Sequence, residues 1–188
     1  MFLSFIILST FLPSVVFSAS FPSFFNESAY ETSGHKPEIY QLEYSGGCIS
    51  GYTWFSYTNF CYKSTARAAN FNDAHNACRS EGSELASIHS LTENQFLVQL
   101  SAAGNRVNSK TNYVMIGLIF ENREWSWTDG SSVNYLNWAA GEPNNMKHEL
   151  WTALVSDVNP KKGQMYTHWN NVNMDRQRAY ICKRAPLN

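Results

Sequence analysis

Apolar positions change their spacing several times along this chain. Residues 1 to 20 carry no charged side chain, and the stretch from Phe2 to Phe17 is mostly Phe, Leu, Ile and Val. Ser18, Ala19 and Ser20 follow as the small residues a peptidase site needs, which predicts a signal peptide over 1–20. Pro13 interrupts the run, which is short against the ~20 residues of a membrane span. No Lys or Arg precedes it, so a retained signal anchor is the competing reading. Residues 21–43, with Pro22, Gly34 and Pro37, keep neither period and read as an N-terminal tail.

From Tyr44 onward the pattern becomes that of a folded domain. Asn70 is a cap-type residue, and Phe71, Ala74 and Cys78 then share one helical face before Gly82 stops the helix. Ser90-Leu91-Thr92-Glu93 has the form of a capping box, with Phe96, Leu97 and Leu100 following at helical spacing. Beyond Gly104 the period shortens. Tyr113–Phe120, Glu124–Thr128, Leu150–Val155 and Ala179–Cys182 read as strands, with a turn at Asp129-Gly130. Val133 to Glu149 is Asn-rich, contains Gly141 and Pro143, and keeps no period. A loop that long inside a small domain is usually functional.

Composition narrows the classes. Only 15% of the 188 residues are charged, 15% are aromatic, and the net charge is -1. A nucleic-acid binder needs a concentrated basic face, so no nucleic-acid partner is expected. Lys161, Lys162, Arg176, Lys183 and Arg184 read as a solvated face. With the leader cleaved, no other stretch is apolar enough to span a bilayer, so the mature chain is expected to be secreted and extracellular. Asn26-Glu27-Ser28 is a glycosylation sequon at Asn26. Cys48, Cys61, Cys78 and Cys182 make an even set, which in an oxidising compartment implies two disulfides over free thiols. Three connectivities exist. Spacing favours Cys48 with Cys61 across a hairpin, leaving Cys78 with Cys182 to close a loop of about 100 residues, worth up to about 4.7 kcal/mol in chain entropy.

Several fragments follow one another in a single order: Cys48 to Cys61, Cys78, Met115-Ile116-Gly117-Leu118, Trp125-Ser126-Trp127-Thr128-Asp129-Gly130, Glu142-Pro143-Asn144, Trp169-Asn170-Asn171 and Tyr180-Ile181-Cys182. Together they resemble a C-type lectin-like domain of the long form, over about residues 44–186. The resemblance implies an α+β fold, with two helices flanking antiparallel sheets and long upper loops that carry a Ca²⁺-dependent sugar site. It implies a cis Glu142-Pro143 bond and a metal set of Glu142, Asn144, Glu149, Asn170 and Asn171. Glu142, Asn144, Glu149 and Asn170 would also meet the sugar. All are oxygen donors, as Ca²⁺ requires. The Glu-Pro-Asn form resembles the mannose type, so mannose, fucose or N-acetylglucosamine are the expected sugars.

Two departures stand out. The family's final Asp is Asn171 here, leaving two carboxylates where three are usual, which weakens a Ca²⁺ site. The inner loop disulfide is missing, its positions falling near Trp151 and Met174, which are expected to lie together. Leu150 stands where an accessory ion's Asp would, so a single Ca²⁺ is expected. His35, His75, His89, His148 and His168 show no zinc spacing, and no nucleophile motif is present, so an enzyme is not expected. Trp125, Trp127 and Trp138 read as core before sugar platforms. Two functions remain: a secreted Ca²⁺-dependent lectin, or a Ca²⁺-independent module that uses the same loops on a protein or other non-sugar ligand.

Overall fold

Local capping chemistry starts both helices where the sequence places them. In the computed structural model, which describes residues 47–103, 112–144, 148–158 and 165–187, Asn70 accepts the Asp73 N–H at 2.9 Å and opens α1, Phe71–Ser80. Ser90 accepts the Glu93 N–H at 3.1 Å and opens α2, Leu91–Ser101. The strands are β1 (Thr53–Phe55), β2 (Phe60–Ala69), β3 (Glu84–Leu85), β4 (Tyr113–Glu121), β5 (Glu124–Trp127), β6 (Trp151–Val155), β7 (Trp169–Val172) and β8 (Arg178–Arg184). The predicted leader, the tail, Asn26, and Lys161 with Lys162 lie outside the described residues. Among the described residues no helix is long and apolar enough to cross a membrane.

The strands form one sheet in the order β1-β2-β8-β4-β6-β7, with β3 on β8 and β5 on β4. β8, the last strand in sequence, therefore lies in the middle. It runs antiparallel to β2 and β3 but parallel to β4, pairing Val114 with Ala179 and Met115 with Tyr180. The sheet is thus mixed, where antiparallel pairing alone was expected. The chain between β4 and β8 is long enough to return in the same sense, as a parallel pair requires.

Side-chain alternation on β4 and β8 separates two cores. Val114, Ile116, Leu118, Ala179 and Ile181 join Leu97 and Val98 of α2. Met115, Tyr180 and Cys182 join Phe71, Ala74 and Cys78 of α1 on the other side. Cys78 and Cys182 are bonded within that second core, Cα atoms 5.4 Å apart, and Cys48 is bonded to Cys61 at the β1–β2 hairpin, Cα atoms 5.6 Å apart. The Leu187 N–H donates to the Gly47 carbonyl at 2.8 Å, bringing the two ends of the described domain together.

One expectation is overturned. Lys183 is not on a solvated face: it is 6% exposed. It follows Cys182 on the central strand, so the pleat turns it into the α2 side of the sheet. Its Nζ donates to Glu93 Oε1 at 2.7 Å and to the Ser87 carbonyl and hydroxyl at 3.0 and 3.1 Å. Glu93, fully buried, also accepts the Tyr62 hydroxyl at 2.6 Å and the His89 N–H at 2.7 Å. Its carboxylate thus reaches past the cap to β2, β8 and the connection before α2 instead of closing back on Ser90. Burial, with the Glu93 charge beside it, pushes the Tyr62 phenol far up, keeping it a neutral donor.

Two outcomes are expected. Lys183→Met leaves a buried carboxylate without its counter-charge, which costs about 3–5 kcal/mol and lowers the melting temperature by roughly 10 °C or more. Thermal unfolding followed by circular dichroism measures it, and Glu93→Leu added to Lys183→Met recovers part of the loss. Gly117 has no room for a side chain, since a Cβ there would lie 2.6 Å from the Leu85 carbonyl oxygen and 2.7 Å from Thr128 Oγ1. Gly117→Ala forces β4 away from that neighbour, at about 1–3 kcal/mol in chemical denaturation; an unchanged midpoint would contradict the close approach.

Candidate functional site

The described part of the long loop forms no helix or strand, apart from a bridge between Trp138 and Trp169. Side-chain amides hold it in place. The Asn94 and Asn137 Nδ2 groups both donate to the Thr167 carbonyl, at 2.9 and 2.8 Å, while Trp169 Nε1 donates to Asn94 Oδ1 at 2.7 Å. Thr167 has φ 70°, a left-handed conformation that a β-branched residue adopts only under constraint. Trp169, fully buried, stands edge-on to Trp127, Tyr135 and Trp138, with ring centroids 5.6–5.9 Å away. Trp127 is core as expected; Trp125 and Trp138 are half-buried against the same cluster. Burial raises the Tyr135 phenol above its ordinary range.

The loop base is also tied to the buried ion pair. His89 Nδ1 meets Asn134 Oδ1 at 2.8 Å, and its Nε2 meets the Ser87 and Ser131 hydroxyls at 3.1 and 3.2 Å. Both hydroxyls donate to Asp129. Burial alone would raise the Asp129 carboxyl, but hydrogen bonds from Ser131 and Ser87 and the nearby Lys183 charge outweigh it and hold the group below its usual range.

Gly141, at φ 84°, turns the chain into a cis Glu142-Pro143 bond. The Asn144 N–H then lies 3.1 Å from Glu142 Oε2 and 3.2 Å from Asn171 Oδ1, and Asn144 Nδ2 donates to Glu142 Oε1 at 3.3 Å. Asn171 Nδ2 donates to the Glu149 carbonyl at 3.0 Å. Hydrogen bonds therefore bring Glu142, Asn144 and Asn171 together, with Glu149 joined through its backbone. Asn170 is not linked to them. Neighbours on a strand face opposite sides, and its Oδ1 is buried without a hydrogen-bond partner.

The donor chemistry fits a hard cation: every candidate ligand is an oxygen, two are carboxylates, and the Asn170 Oδ1 is a buried acceptor with no hydrogen-bond partner. The charge is thin, since among the described residues no group of three His, Cys, Asp or Glu gathers. Trp151 and Met174 both pack against the α1-side core, where Phe71 takes a ring contact from Trp151 at 5.7 Å and donates its N–H to the Met174 carbonyl at 3.3 Å. Sequence reasoning missed Glu93, Asn94 and Lys183 as loop supports. The available signal was a pair of polar residues inside the buried face of α2, and a Lys following an unbroken apolar run in β8.

Comparison with known proteins agrees with this arrangement. The family model described as Lectin C-type domain matches residues 67–184. The chain is 38% identical over 144 residues to C-type lectin lectoxin-Lio1 of Erythrolamprus poecilogyrus, covering 74% of this chain and 81% of that protein. It is 33% identical over 153 residues to a C-type lectin mannose-binding isoform of Notechis scutatus scutatus, covering 77% and 89%. Among solved structures, a calcium-independent type II antifreeze protein superposes with TM-score 0.62 at 27% identity, over 74% of this chain and 95% of that one. With two helices on either side of a mixed sheet, and with these relatives matched over most of its length, the chain belongs to the C-type lectin-like domain family.

Proposed function

We propose that this domain is a secreted carbohydrate-binding protein that takes mannose, fucose or N-acetylglucosamine through one Ca²⁺ ion at Glu142, Asn144, Glu149, Asn170 and Asn171. The observation that carries this reading is the meeting of Glu142, Asn144 and Asn171 at hydrogen-bond distance on the loop beside Glu149. Similarity to a lectin described as mannose-binding supports it. A bound Ca²⁺ would supply a Lewis-acidic point for two vicinal sugar hydroxyls. Glu142 would accept a hydrogen bond from one of those hydroxyls, and the Asn144 amide would donate to the other. Two equatorial hydroxyls satisfy that donor–acceptor order together; the axial 4-hydroxyl of galactose breaks it.

A second reading has its own support. Asn171 brings no charge, and both ends of its side chain are already bonded to the loop backbone. The superposed antifreeze protein is described as calcium-independent. A Ca²⁺-independent module for a protein or other non-sugar ligand would use the same surface.

Retention on mannan-agarose with and without EDTA separates the two. The proposed function expects retention in millimolar Ca²⁺, elution by EDTA, and competition by mannose over galactose by roughly 5- to 150-fold, the effect of one unmatched buried polar partner. Better competition by galactose would overturn the specificity, and EDTA-resistant or absent retention would favour the second reading.

A further inference from the structure

Two arms of the long loop meet at one side chain. The first arm is Gly141 to Asn144, and the second is the chain at Glu149 that leads into β6. Asn171 lies between them, 1% exposed. Its Oδ1 accepts the Asn144 N–H at 3.2 Å, and its Nδ2 donates to the Glu149 carbonyl at 3.0 Å. An amide can serve both arms at once. An ionised Asp in the same place could accept from Asn144 but has no hydrogen for Glu149, and would set its charge against that carbonyl oxygen.

We propose that the Asn171 amide is a built-in cross-link that holds the two arms in their binding arrangement without a bound ion. The inference rests on the preceding reading only in taking this loop as the binding surface. Asn171 is a positioning residue in this role. Its substitution for the family's Asp exchanges a negative charge for a hydrogen-bond donor, so the loop keeps its shape when no cation bridges it. The strand beneath supports this. Asn171 sits opposite Thr152 in the β6–β7 pair, on the same strand as fully buried Trp169, so its backbone cannot drift to follow the arms. The arms come to a fixed post, and a ligand meets a preformed surface.

Hydrogen exchange on the whole chain, in EDTA and in millimolar Ca²⁺, tests the proposal. The peptides to follow cover Tyr135–Asn144 and His148–Val155, with α1 and β8 reporting the whole fold. In the native protein the two loop peptides should exchange more slowly than free chain, and equally in both buffers. Asn171→Asp should lower their protection in EDTA by about tenfold, the size of one lost buried hydrogen bond, with α1 and β8 unchanged and Ca²⁺ restoring protection. Asn171→Ala, which buries no charge, should loosen the same peptides without rescue by Ca²⁺.

Native loop peptides that become protected only when Ca²⁺ is added would overturn the cross-link, as would an Asn171→Asp protein that exchanges like the native one in EDTA. If Asn171→Asp unfolds α1 and β8 as well, Asn171→Ala and the native comparison decide. Calorimetric titration with Ca²⁺ alone keeps the two proposals apart. A native protein that binds no Ca²⁺ but keeps its loop protected removes the lectin reading and supports the cross-link, whereas one whose loop orders only on binding Ca²⁺ does the reverse.

Discussion

The ion pair between Lys183 and Glu93 is the contact on which the remaining polar architecture rests. Two charges taken out of water are costly unless every remaining donor and acceptor is met. Here they are met by four groups: the Tyr62 hydroxyl from β2, the His89 N–H ahead of α2, and the Ser87 carbonyl and hydroxyl after β3. The pair therefore fixes a helix, two strands and a connection at once. A hydrophobic substitute would pack the same volume but would remove the bonds that tie Tyr62, the His89 N–H and Ser87 to this centre. Specific geometry, more than raw stability, is what such a buried pair contributes.

From that centre the constraint passes to the loop along two routes. One runs from Ser87 through Asp129, Ser131 and His89 to Asn134. The other begins at Asn94, the residue after Glu93, and reaches Trp169 and Thr167. Adjacent polar residues on one helix thus serve the core and the loop respectively. This explains how a segment without regular hydrogen bonding keeps a defined path: its amides are tied to residues that the sheet and α2 already hold.

Much of this was legible in the sequence. Both helices start at their capping residues, because an N-cap is a local interaction that needs only its neighbours. Phe71, Ala74 and Cys78 form the buried face of α1 as their spacing implies. β7 was less visible: Trp169–Val172 is short, and its two asparagines hide its period. Neither the parallel pairing of β4 with β8 nor the burial of Lys183 has a local signature, since both depend on where the last strand enters the sheet. For the loop, the residue types at 142, 144, 149, 170 and 171 pointed to oxygen-donor chemistry. That Asn171 would bond both arms, and Asn170 neither, depends on which way each side chain leaves the strand.

The position of β8 has a consequence for how the domain comes into being. The last of the described strands in sequence pairs with three others and supplies both Lys183 and Cys182. Without it, Glu93 has no counter-charge, Cys78 has no partner, and β4 alone stands between the two cores. A chain cut short before Arg178 therefore lacks the middle of its sheet, not merely an edge.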